Sequence, residues 1–154
     1  MHFVAGLRAE ALAFEGFVDL LRAEQSALAA RDTDTLMGLA QAKSERIVSL
    51  NEFARRRAAF LAAHSYVPDR AGMAQWLHAH AGADEAALTR LWRSLLDTAM
   101  QAQATNRENG VLIETRLQHN QQLLAALTSA GQPALYGPDG HSHVGNTGRD
   151  RGTV

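Results

Sequence analysis

Apolar side chains recur at three- and four-residue intervals along most of the chain. From Val4 to Leu28 the positions Val4, Leu7, Ala11, Phe14, Val18, Leu21 and Leu28 keep this spacing, interrupted only at Gln25. The pattern predicts a helix with one continuously buried face, ending near Ala30. Arg31-Asp32-Thr33-Asp34 then offers capping oxygens ahead of a second run. That run is Leu36, Leu39, Lys43, Ile47, Leu50, Ala54 and Leu61, with Phe53 and Phe60 on its flank. So short a link predicts an antiparallel helical hairpin. Pro68 stops the second helix, Asp69 can cap a short one through Met73, Trp76 and Leu77, and Gly82 punctuates again. From Asp84 to about Ser129 no proline occurs, and Leu88, Leu91, Leu95, Ala102, Asn106, Asn109, Ile113, Leu117, Leu124 and Leu127 hold the helical period. At the α-helical rise this last helix would be roughly 70 Å long against about 45 Å for each hairpin arm, so part of it is expected to project from the bundle or cover it obliquely.

Beyond Gly131 the chain is too poor in apolar residues to offset the cost of ordering it. The expected fold is therefore all-α: an elongated antiparallel bundle with a coiled-coil-like hairpin, one very long C-terminal helix and a disordered tail. Residues 1–130 form a single helical domain and residues 131–154 a flexible Gly/Pro-rich extension. Composition agrees, since Ala and Leu number 49 of the 154 residues while Ile and Val number 9. The absence of cysteine excludes a disulfide scaffold, a thiolate zinc site and a cysteine nucleophile, and makes the cytoplasm the default location. Charges nearly cancel, at 15 basic and 16 acidic side chains, so nucleic acid and stable membrane insertion are not expected. The first 21 residues carry Arg8, Glu10, Glu15 and Asp19 among their apolar positions, unlike a signal peptide or a membrane span.

Candidate chemistry changes this picture little. No His-Glu-x-x-His occurs, no Glu is followed three places later by His, and the pairs His78/His80 and His141/His143 fall short of a ligand set, so no metal site is expected. No nucleophile elbow or phosphate-cradling glycine loop is present, so neither catalytic residues nor a cofactor are assigned. Arg55-Arg56-Arg57 is the one basic run, and on a helix it fans over about 200° and reads as a solvated face. Asn106 and Asn109 occupy seam positions of the long helix. Either they fix register inside the bundle or they mark where packing ends and a partner begins. Gly110 beside them points to close approach or local softness.

Taken in series, Asn106-Arg107-Glu108-Asn109-Gly110, Leu112, Asn120-Gln121-Gln122, Leu127 and Leu135-Tyr136-Gly137-Pro138-Asp139-Gly140 resemble the C-terminal half of the FlgN family of flagellar export chaperones. Ala23-Glu24-Gln25 with Leu28, and Lys43-Ser44 before Ile47, Val48 and Leu50, resemble its earlier half. Tyr66 to Gly82 matches no motif and resembles a lineage-specific insertion. The resemblance implies a cytoplasmic, non-enzymatic chaperone that binds the hook-associated proteins of the hook-filament junction. It would keep them unassembled and hand them to the cytoplasmic domain of the export gate, with the export ATPase complex as a further partner and a homodimer left open. Asn109, Leu112, Ile113, Leu117, Asn120, Leu124 and Leu127 are the expected cargo contacts, although the same leucines could equally pack on the hairpin. Leu135, Tyr136 and Gly137 are the expected gate contact. The alternative is a coiled-coil adaptor that oligomerises through the same heptads without chaperone activity.

Overall fold

The structure is a computed structural model and describes residues 2–130. Its elements are α1 (His2–Ala30), α2 (Thr33–Ala63), α3 (Arg70–His80), a single 3-10 turn at Gly82–Asp84, and α4 (Glu85–Ala130), with no strand among the described residues. The all-α expectation holds; α1 and α4 begin and end within about two residues of where spacing and breakers place them, whereas α2 ends at Ala63, several residues before Pro68. The chain divides into two compact units, Met1–Glu114 and Thr115–Val154. The first holds α1 to α3 and the opening turns of α4; the described part of the second is helical throughout. The expected disordered tail, with Leu135, Tyr136, Gly137, His141 and His143, lies outside the described residues.

The hairpin turn is only two residues long. Arg31 adopts a left-handed φ of 59°, and the amides of Arg31 and Asp32 donate back to Leu28 and Ala27, closing the end of α1. Asp32 then starts α2, its carboxylate accepting from the Thr35 hydroxyl at 2.6 Å and the Thr35 amide at 3.1 Å. These two donors, the hydroxyl first, hold the Asp32 carboxyl below the usual carboxylate range. The cap's contribution is therefore complete above that range and is lost as pH falls through the lowered value. The same device recurs after α2, where Ser65 has φ 64° and Tyr66 donates back to Leu61. At α3 the Asp69 carboxylate accepts from the Gly72 amide at 2.7 Å. Gly72 has no substitute there, because a Cβ would run into the Val67 backbone carbonyl.

Within the first unit the core has two parts. The larger joins Leu7 and Ala11 of α1, Leu61 of α2, Met73, Trp76 and Leu77 of α3, and Leu88, Trp92 and Leu95 of α4, with Phe3 and Phe60 stacked over it at 3.8 Å between ring centres. The smaller joins Phe17, Val18 and Leu21 with Leu50 and Ala102. Residues 70–80 are thus not an appendage, since α3 supplies three side chains to the main core. The buried axis of α4 repeats every seven residues, through Leu88, Leu95, Ala102 and Asn109. Asn106, expected on the seam, lies off that axis and is exposed. Ile47 is likewise exposed, because the inner face of α2 runs through Lys43, Leu50 and Arg57 and Ile47 falls at its edge. Conversely Phe17, Glu10 and Glu24, absent from the periodic reading of α1, are buried.

Because Met73 is completely buried among α1, α2 and α4 side chains, Met73→Ala is expected to cost about 2–5 kcal/mol. Urea unfolding followed by circular dichroism measures it. A loss below about half a kcal/mol, the range of surface substitutions, would show α3 to be dispensable to the fold.

Candidate functional site

Two motif segments that lie far apart in sequence meet inside the first unit. The Asn109 side-chain nitrogen donates both its hydrogens to α1, one to the Leu21 carbonyl at 2.9 Å and one to the Glu24 carboxylate at 2.8 Å. From the other side Lys43 Nζ of α2 donates to both Glu24 oxygens at 3.0 Å. Asn109 is wholly enclosed, and its Oδ1 has no hydrogen-bond partner among the described residues. A second polar layer repeats the arrangement toward α3: Glu10 pairs with Arg57, whose guanidinium lies 5.0 Å from the centre of the Trp92 ring. Glu10 to Glu24 and Lys43 to Arg57 are both steps of fourteen residues, or two heptads. Each layer therefore ties α1, α2 and α4 together in one register, with the smaller apolar cluster between them.

This placement resolves several expectations. Asn109, named among the cargo contacts, is an internal residue with no exposed surface in this conformation, and the register reading of the seam asparagine describes it. Asn106 remains at the surface. The Arg55-Arg56-Arg57 run divides: Arg55 and Arg56 pair with Glu52 in solvent, while Arg57 turns inward to Glu10. The helical fan that argued against a basic patch is what turns the third arginine into the core. A Cβ added at Gly110 would meet nothing within 4 Å, so close approach is not its role. His78 Nδ1 lies 2.9 Å from Glu85, and His80 stacks on Trp76 with Nδ1 at 3.2 Å from its carbonyl.

Leu112 and Ile113, at the end of the first unit, are solvent-exposed. In the second unit Leu117, Leu124 and Leu127 are 52%, 63% and 69% exposed, and Asn120 is exposed with them. Steps of three and four residues put these four on one stripe of the helix. Leu123 beside them, half exposed, was not singled out by the spacing. Such a run of uncovered leucines is the kind of surface that a partner covers. Among the described residues no helix is long and apolar enough to cross a membrane, and no group of three or more His, Cys, Asp or Glu is placed to hold a metal ion.

Fold and surface together define an all-helical protein that locks its own bundle with buried polar layers and leaves an apolar helix stripe in water. The family model described as FlgN protein matches residues 1–143, and the chain belongs to that family. It is similar to the flagella synthesis protein FlgN of Yersinia enterocolitica, at 39% identity over 56 residues, which is 36% of this chain and 38% of that protein. It is also similar to the flagella synthesis protein FlgN of Salmonella typhimurium, at 26% identity over 99 residues, 64% of this chain and 69% of that protein. The aligned stretch thus spans well under half the length of the Yersinia relative. No solved structure matches the chain.

Two substitutions test the clasp. Lys43→Met leaves Glu24 buried without its cation and is expected to cost about 3 kcal/mol, whereas Glu24→Leu combined with Lys43→Leu costs less than the single change. Chemical denaturation of the three proteins decides the order, and equal stabilities would mean that the pair does not hold the helices. Gly110→Ala, with open space around it, is expected to stabilise by up to about 1 kcal/mol. A lower melting temperature would show that Gly110 meets a constraint the helix geometry does not reveal.

Proposed function

We propose that the protein serves flagellar assembly as an export chaperone: it binds hook-associated proteins of the hook-filament junction in the cytoplasm, keeps them from assembling prematurely, and delivers them to the cytoplasmic domain of the export gate. The observation that carries this reading is the stripe of Leu117, Asn120, Leu124 and Leu127, uncovered in a chain of the FlgN family. The names of the Yersinia and Salmonella relatives support the flagellar setting. An amphipathic helix with its leucines in solvent can join a helix of a partner by completing a small bundle, with the leucines as anchors. Leu112 and Ile113 extend the set of candidate contacts. The reading uses binding alone and needs neither a cofactor nor a catalytic group. The export ATPase complex is a further partner in this scheme, and self-association through the same leucines is the form a homodimer would take.

Burying one leucine is worth roughly 1.5–3 kcal/mol, or ten-fold and more in affinity when the burial occurs only in the complex. Leu124→Asp or Leu127→Asp is therefore expected to weaken binding of a hook-associated protein at least ten-fold by calorimetry, with helical content unchanged. Unaltered affinity would remove these leucines from the interface. A stable higher oligomer that binds no junction protein would instead establish the adaptor role. For delivery, Leu135, Tyr136 and Gly137 are the proposed gate contact, and Tyr136→Ala is expected to reduce gate binding and junction-protein secretion while cargo affinity and melting temperature hold. A drop of several degrees in melting temperature would assign Tyr136 to the protein's own packing.

A further inference from the structure

A second surface lies wholly within the first unit. Between α3 and α4 a cleft of about 410 Å³ has Leu77, Trp92 and Leu96 on its apolar side. Arg70 of α3 and Thr89 and Arg93 of α4 line it as well. The cleft continues onto a surface that Arg90 shares with Arg93. Among the described residues none of these three arginines is in an ion pair, whereas Glu10, Glu24, Glu52 and Glu85 are each engaged by a cation or a histidine. Glu85 also lines the cleft, with its carboxylate 2.9 Å from His78 Nδ1. Trp92 adds a further unmet demand, since its indole N–H is buried with no hydrogen-bond acceptor among the described residues. The cleft thus combines three apolar side chains with two arginines against one carboxylate, that of Glu85.

We propose that this cleft is a docking site for an acidic peptide segment of a protein partner, one that places a leucine-sized side chain on the apolar side and carboxylates against Arg70 and Arg93. Guanidinium groups bind carboxylates through paired N–H donors, so two unpaired arginines flanking an apolar pocket select a carboxylate beside an aliphatic side chain. The volume suits one or two side chains rather than a whole helix. Three cations with Glu85 among them make a smaller patch than the four to eight that anionic membranes attract. The chain's overall charge of −1 gives no long-range pull on nucleic acid. The surface is built by α3 together with the first turns of α4, and it is independent of the cargo reading above.

The test uses the full chain and a fluorescent peptide of alternating Asp and Leu, with the same peptide carrying Asn for Asp as its control. By anisotropy at low salt the acidic peptide is expected to bind at least about five-fold more tightly than the Asn peptide, with the difference shrinking at high salt. Arg70→Gln with Arg93→Gln is expected to abolish that preference, and Arg70→Lys with Arg93→Lys to restore part of it. Arg8→Gln and Leu124→Asp should leave it intact. All the arginines concerned are exposed, and circular dichroism verifies that each variant folds. Equal affinity for the two peptides would overturn the proposal, as would a preference untouched by the Arg70/Arg93 change. Loss of binding in Leu124→Asp would assign the peptide to α4 instead. Capture of the chain by anionic phospholipid vesicles, with no peptide preference, would make the arginines a lipid contact.

Discussion

The Glu24 carboxylate is the point on which the first unit turns. It sits in the hairpin interior with one oxygen shared between Lys43 of α2 and Asn109 of α4 and the other held by Lys43 alone. A buried carboxylate tolerates no other arrangement cheaply, because removing either donor strands a charge in a poorly polarisable interior. Hydrophobic packing alone would let heptad-bearing helices slide by a turn with modest loss, since one leucine replaces another. The clasp and its counterpart at Glu10 and Arg57 make such a slip prohibitive, so these polar layers select one alignment among several that the leucines would accept.

Asn109 is also the last buried position of α4 among the described residues. Up to it, α4 buries Leu88, Trp92, Leu95 and Ala102 in the core. After it the helix carries five leucines, Leu112, Leu117, Leu123, Leu124 and Leu127, and they are left in solvent. The change in use comes at a residue whose amide hydrogens both point inward. Gly110 follows at once, with the lowest intrinsic helix propensity short of proline. The sequence around this boundary is therefore read best as an end stop, polar and hydrogen-bonded, that completes one packing problem before a surface of different purpose begins.

The helices were legible because each relies on local signals that the chain states openly: Asp32 and Asp69 before their helices, Pro68 after one, and three-four spacing through the rest. The polar layers were less so. Glu10 and Glu24 interrupt apolar stripes, and a periodic reading treats them as solvent positions, although Glu24 and Lys43 both lay in segments with a family resemblance and their fourteen-residue echo in Glu10 and Arg57 is visible once a hairpin register is assumed. Asn106 and Asn109 could not be separated by spacing alone, since both fit a three-four pattern and only the strict seven-residue repeat of Leu88, Leu95 and Ala102 selects the second. The role of α3 was hidden for another reason. Met73, Trp76 and Leu77 announce a helix with an apolar face, but which surface that face covers is decided by residues sixty places away, around Leu7 and Ala11.

The two tryptophans bring a practical consequence. They are the chain's strongest intrinsic fluorophores, and both lie at one end of the first unit: Trp76 stacks on His80 and meets Phe3 and Phe60 edge-on, and Trp92 lies beneath Arg57 and beside the α3–α4 cleft. No indole lies on residues 110–130. Emission from the unlabelled protein is thus a local gauge of the first unit, sensitive to a charge or acceptor arriving beside Trp92. A partner that shifts the spectrum has changed the surroundings of Trp76 or Trp92, at the α3 end of the first unit.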